Sequence, residues 1–286
     1  MKKNKVLTVL IFLVLSLVMP KNLKSQIMEV GVTGGTSYYI GDINPSKHFS
    51  QSQLAFGGAI RYYQNLRWAF RLQYSRINLT ASDDVVAFRP ERDLSFKSGI
   101  NDFAVIAEFN FFDYRTGSKQ HRVTPYIFAG LAGFYFNPKT DIVNPITSEM
   151  ETVELRVLNT EGQGLKGYDD AYAKYGLSIP FGLGVKFSIS DYVCLGVEWG
   201  FRKTFTDYID DISKNYVEHG TMINWAGELA AAAADRTHEL DGYEDFYHSH
   251  NLSRGNPQTK DWYNFFGITL TTKLASKSSK CPGMKF

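Results

Sequence analysis

Residues 193–202, VCLGVEWGFR, decide the fold. Val193, Leu195, Val197, Trp199 and Phe201 alternate with Cys194, Gly196, Glu198, Gly200 and Arg202. A period of two puts the first set on one face of a strand and the second on the other. The first face is large and apolar, and the second is small, polar or charged. The same division recurs upstream. Trp68, Phe70, Leu72 and Tyr74 alternate with Ala69, Arg71, Gln73 and Ser75, and Phe103, Val105, Ala107, Phe109 and Phe111 alternate with Asp102, Ala104, Ile106, Glu108 and Asn110. In a soluble sandwich the large residues would fill a core and the charges would meet water. Here the polar face is rich in Gly, Ala and Ser with isolated charges, which suits a narrow lumen.

Working outward, eight segments of this kind are predicted, at 28–39, 54–63, 67–78, 99–113, 123–136, 174–188, 192–205 and 262–274. Their apolar stretches are about 9–12 residues long, the length of a tilted transmembrane strand. The connections alternate: 64–66, 115–122 and 189–191 are short, while 40–53, 79–98, 137–173 and 206–261 are long. The sequence therefore predicts an all-β fold, an eight-stranded antiparallel transmembrane β-barrel. Short turns and both termini fall in the periplasm, and long loops fall outside the cell. Aromatics near segment ends (Tyr38, Tyr39, Tyr62, Tyr63, Trp68, Tyr114, Tyr126, Tyr135, Tyr175, Tyr192, Trp262 and Tyr263) are expected to form the interfacial girdles. One helix is expected inside the last long loop, from Asn224 to Asp241, centred on Ala230 to Ala234.

Composition agrees. Of 286 residues, 44% are hydrophobic, 21% charged and 15% aromatic, beside 24 glycines. This excludes a disordered chain, and the absence of repeated ~20-residue apolar runs excludes a helical membrane bundle. The net charge of +2 is set by the first 25 residues, which hold five lysines and no acid; without them 26 basic residues face 29 acidic ones. No polyanion-binding surface, and so no nucleic-acid partner, is implied. Those first residues form a signal peptide: basic Met1 to Lys5, apolar Val6 to Met19, and cleavage expected after Ser25. The predicted organisation is signal peptide 1–25, barrel domain 26–274 and a periplasmic C-terminal tail 275–286.

By parity Glu29, Arg61, Arg71, Asp102, Glu108, Lys186, Glu198 and Arg202 point inward. Eight strands enclose just enough room for side chains, and buried charges there must pair. A salt-bridged plug is expected rather than a pore. No cofactor is implied and no enzyme is expected, since no G-x-S-x-G or comparable nucleophile setting occurs. All six histidines fall in turns or loops, and His248-x-His250 alone is a weak metal signal. Residues 206–213, TDYIDDIS, offer Asp207, Asp210 and Asp211 as weak cation ligands. They lack the full alternation and the glycine of a calcium loop, so a solvated or capping acidic turn is the simpler expectation. Gly34-Gly35 is expected to relieve crowding at the barrel wall. Cys194 and Cys281 are exported together and are in reach of one disulfide across the periplasmic mouth. A lumen thiol at Cys194 and a Cys281 that pairs with a partner are the alternatives.

The first segment, Glu29-Val-Gly-Val-Thr-Gly-Gly-Thr-Ser-Tyr-Tyr-Ile-Gly-Asp-Ile-Asn-Pro45, resembles the opening signature of the PorG family. These are outer-membrane barrels of the type IX secretion system. Residues 206–213, Arg254-Gly255-Asn256-Pro257 and the closing strand at 261–271 (DWYNFFGITLT) extend the likeness over nearly the whole mature chain. The resemblance implies association with the periplasmic ring lipoprotein PorK and its partner PorN, and with other outer-membrane translocon components. The alternative is an OmpA-like structural barrel or surface adhesin.

Overall fold

The computed structural model describes residues 27–243 and 246–274. The predicted signal peptide, the tail at 275–286 and Cys281 lie outside the described residues. In chain order the strands are β1 (Ile27–Ile40), β2 (Gln53–Tyr63), β3 (Trp68–Ser82), β4 (Ser95–Asn110), β5 (Val123–Tyr135), β6 (Lys139–Val143), β7 (Met150–Glu154), β8 (Tyr175–Ser188), β9 (Val193–Thr204) and β10 (Trp262–Lys273). Eight of them are hydrogen-bonded neighbours in the order β3-β2-β1-β10-β9-β8-β5-β4, and β3 pairs with β4 to close the ring. All these pairings are antiparallel. The result is a closed eight-stranded antiparallel β-barrel, and closure leaves its wall without an edge.

Register explains why the alternation is so strict. A slip of one residue would exchange lumen and exterior along an entire strand. In β9, Cys194, Gly196, Glu198, Gly200 and Arg202 are buried, while Val193, Val197 and Phe201 lie on the outer wall. That wall is apolar, with Val32, Leu54, Leu72, Val105, Leu131, Leu183 and Ile268 exposed. An apolar exterior around a charged interior belongs to a membrane-spanning barrel, since only lipid is compatible with it. Gly35 sits opposite Gly267 at the β1–β10 seam. A Cβ on Gly35 would lie 2.2 Å from the Phe266 carbonyl oxygen, whereas Gly34 has open space. Crowding relief therefore belongs to Gly35 alone.

Three expectations are corrected. First, 137–173 is not plain loop. β6 and β7 form a hairpin there, joined to β4 through Lys97 opposite Lys139. Charged pairs lie on it, Lys97 with Asp141 at 2.6 Å and Lys139 with Glu154 at 3.1 Å, so it lacks a continuous apolar face. Second, the single loop helix is two helices, and two further single turns, α1 (Asp83–Val86) and α2 (Leu155–Leu158), lie in other long loops. α3 (His219–Ala226) begins earlier than expected, where Glu218 accepts a 2.8 Å bond from Thr221 N. Gly227, at φ 91°, separates it from α4 (Glu228–Ala234), and all five alanines of α4 are buried.

Third, five of the twelve residues expected in the girdle are interior. Tyr39, Tyr63, Tyr114, Tyr126 and Tyr263 are buried, while Trp68, Tyr135, Tyr175 and Tyr192 remain exposed on the outside. Parity, not nearness to a strand end, sets the face that Tyr39, Tyr63, Tyr126 and Tyr263 occupy. Tyr38 is on the outer face yet covered, because the β1–β2 loop folds down over it. The Phe49 ring lies 4.8 Å from the Tyr38 ring and stacks on Trp199 at 5.8 Å.

Candidate functional site

All eight charged residues expected in the lumen are at most 1% exposed. Four are acidic and four basic, so the set is neutral. Glu108 is its hub, with Arg61 Nε at 2.9 Å, Arg71 Nε at 3.0 Å and Lys186 Nζ at 2.5 Å. Arg71 also reaches Glu198 at 2.6 Å, and Arg61 reaches Glu29 at 3.0 Å. Arg202 lies 3.5 Å from Asp102, which accepts a 2.7 Å bond from the Tyr263 hydroxyl. The remaining strands supply neutral partners: from β5, Tyr126 donates to Glu198 at 2.8 Å; from β10, Thr271 donates to Glu29 at 2.8 Å. The Lys186 ammonium sits 4.3 Å from the Tyr126 ring centroid. Every wall strand thus contributes to the plug, in which Asp102, Arg202 and Tyr263 form a second group beside the Glu108 network. Cys194 is buried beside Tyr63, Ala69 and Tyr114 at its lower rim.

At the short-turn end the connections are laced to one another. Tyr114 N donates to Leu66 O at 3.1 Å, and Gly117 N to Ser188 Oγ at 2.8 Å. Asn65 Oδ1 accepts from Arg67 N and Trp68 N, both at 2.8 Å, which fixes the tight β2–β3 turn. The exposed residues of the 111–122 connection include Arg115, Lys119 and Arg122, beside Phe111 and Phe112. This face is rigid, basic and partly apolar.

The long-loop end is sealed by a cap. Here the acidic stretch departs from expectation: Asp207, Asp210 and Asp211 are buried, not solvated. Asp207 accepts from Ser213 Oγ at 2.7 Å, and Asp211 from the Tyr172 hydroxyl at 2.6 Å and from Thr160. The Tyr39 hydroxyl lies 2.6 Å from Asp210 Oδ2 and 2.7 Å from Asp261 Oδ1. A phenol has one proton, so one of these two carboxyls must supply its own. Burial accordingly holds both well above the usual carboxylate range, each raised further by neighbouring carboxylates. Burial also pushes Asp207 up to about 7, and Asp211 and Asp42 up to about 6. The three expected cation ligands thus face different partners. Among the described residues no three His, Cys, Asp or Glu side chains are grouped to hold a metal.

The two histidines of His248-x-His250 also part company. His248 Nδ1 lies 3.1 Å from Asp235 and its ring stacks on Tyr216 at 4.1 Å, while His250 Nδ1 lies 3.4 Å from the Tyr168 hydroxyl. Of the other cap residues, Glu161 carries no sequence signal, Tyr39 was expected in the girdle, and Arg254 and Asp261 stand in the sequence only within the stretches 254–257 and 261–271. Arg254 opens the stretch Arg254-Gly255-Asn256-Pro257. It is buried, donates to Asp211 O at 2.6 Å and Ala234 O at 3.0 Å, and pairs with Glu161 at 3.2 Å.

The family model described as "Domain of unknown function (DUF6089)" matches residues 4–222. The chain belongs to the DUF6089 family. No curated protein sequence matches it. Among solved structures it is similar to Neisserial surface protein A, at 9% identity over 88% of this chain and 100% of that one, with a TM-score of 0.42. It is also similar to a major outer membrane protein from Thermus thermophilus, at 13% identity over 86% and 99%, TM-score 0.41. A third is the outer membrane protein OprG from Pseudomonas aeruginosa, at 10% identity over 88% and 96%, TM-score 0.39. The architecture of this DUF6089 member rests on its own strand pairing.

Proposed function

We propose that this DUF6089 protein is an outer-membrane barrel component of the type IX protein secretion machinery that anchors or scaffolds the periplasmic ring and does not form the pore. The observation that carries the non-pore part is the neutral plug, to which every wall strand contributes and in which each charged side chain has an oppositely charged neighbour. A barrel filled in this way has only its outer wall and its two ends for function. The wall is matched to lipid. The short-turn end, basic at Arg115, Lys119 and Arg122 and apolar at Phe111 and Phe112, is a firm surface for a partner.

The likeness of residues 29–45, 206–213, 254–257 and 261–271 to the PorG signature supports the choice of partner: the ring lipoprotein PorK together with PorN. On this reading the short turns and both chain ends face the periplasm. The protein, tagged in the exposed hairpin turn at 144–149 and purified from outer membranes, is expected to bring down PorK and PorN. Reversal of charge at Arg115, Lys119 and Arg122 together should abolish that recovery while leaving the barrel in the membrane. Recovery of the barrel free of ring proteins would overturn the proposal.

A further inference from the structure

The cap contains a cavity of about 310 Å³ that neither the plug nor the proposed partner surface uses. It is assembled from three stretches distant in sequence: 161–169, 208–216 and 250–251. Its volume lies at the lower end of the ~300–1,000 Å³ range of small-ligand sites, about ten times the ~30 Å³ share of one water in the liquid.

Three of the residues lining it share a property. Glu161, Gln163 and Tyr216 are each at least nine-tenths buried. Each also carries a buried polar atom with no hydrogen-bond partner among the described residues: Glu161 Oε2, Gln163 Nε2 and Tyr216 Oη. The other ends of the same groups are firmly held. Glu161 Oε1 accepts from Ser213 N at 2.8 Å, Lys214 N at 3.0 Å and Arg254 Nη1 at 3.2 Å. Gln163 Oε1 accepts from Glu161 N at 3.1 Å. The Tyr216 ring is clamped on His248, and its backbone is bonded to Leu252 O at 2.8 Å. Three rigid side chains around one space are left with an acceptor, a donor and a hydroxyl unused. Each such orphan costs about 1–3 kcal/mol unless something in the cavity satisfies it.

The chemistry of the walls narrows the occupant. The Glu161 charge is countered by Arg254, and Lys214 at the exposed mouth is paired with Asp169. A net-charged ligand would therefore find no free counter-charge. Tyr168 and Tyr208 add aromatic surface to the lining, with Tyr208 held against Tyr172 by stacking at 4.5 Å. A fitting ligand must donate to a carboxylate oxygen, accept from an amide, exchange a bond with a phenol, and present C–H surface to aromatic rings. A pyranose ring meets all of these demands. We propose that this cavity binds a neutral saccharide, drawn from a lipid-anchored surface glycan or from a free one. The proposal is independent of the secretion reading.

The test uses the full mature protein in detergent. Probes are methyl glycosides of glucose, galactose, mannose and N-acetylglucosamine, together with the oligosaccharide released from lipopolysaccharide of the same cells. Saturation-transfer NMR detects binding and calorimetry measures it. Tyr216→Phe removes only the unpartnered hydroxyl, so the free variant should melt at or above the wild-type temperature. Its saccharide affinity should fall about tenfold, the worth of one good hydrogen bond. Binding of the simple glycosides would indicate a free glycan as the source, and binding of the released oligosaccharide alone a lipid-anchored one; either supports the site. The proposal is overturned if no probe binds at millimolar concentration, or if Tyr216→Phe binds as tightly as wild type.

Discussion

Glu108 makes three of the ion pairs of the plug, and its neighbours Arg61, Arg71 and Lys186 are buried with it. The attraction inside such a site is offset by the cost of taking the charges out of water, so the intact network adds little net stability. Removing one member is different, because the others stay buried and uncompensated. Glu108→Ala should therefore cost about 3–5 kcal/mol in urea unfolding of the barrel in lipid. Glu154→Ala also breaks two lysine pairs, but on a half-exposed hairpin, and should change stability by no more than about 1 kcal/mol. Comparable losses from the two would show that the plug is wet. The lumen residues were legible in the sequence because parity alone decides inside from outside. The same parity places Tyr63 and Tyr126 in the lumen and outweighs their nearness to strand ends, whereas the covering of Tyr38 was not legible, because the loop over it follows a path no alternation encodes.

At the scale of elements, the cap is the part whose buried carboxyls retain their protons to higher pH than usual. Asp207 at about 7 and Asp211 and Asp42 at about 6 stand above the ordinary value of 3.8. The folded cap thus binds protons more tightly than the unfolded loops. Its stability from these groups is full below about pH 4, and is lost as pH rises through 6 and 7. Lys260, 3.7 Å from Asp207, and Arg254, 3.9 Å from Asp211, oppose the trend without reversing it. Limited proteolysis of the 205–261 connection is expected to be several-fold slower at pH 5 than at pH 8, at matched protease activity. Equal or faster cleavage at pH 5 would contradict the assignment. The wall strands were legible because lipid outside and charge inside impose a strict period of two. The β6–β7 hairpin and the break at Gly227 were not, since charged residues or buried alanines at those places carry no single period. The cap cavity was illegible for a related reason, as its lining comes from three separate stretches that only folding brings together.

For the whole molecule, the account is of a membrane-spanning barrel closed by a neutral plug, sealed by a loop cap at one end and offering a rigid basic face at the other. A scaffold role and a transport role make opposite demands on such an interior. The former needs every lumen charge paired, and the latter needs a continuous watery path lined by charges with a preferred sign. Planar-bilayer recording of the purified mature barrel separates them most directly. The account predicts silence or brief, irregular events in symmetric molar salt, with stable conductance emerging only when the hub is removed, as in Glu108→Ala. Steady single-channel currents from the wild-type protein, insensitive to Glu108→Ala, would contradict it.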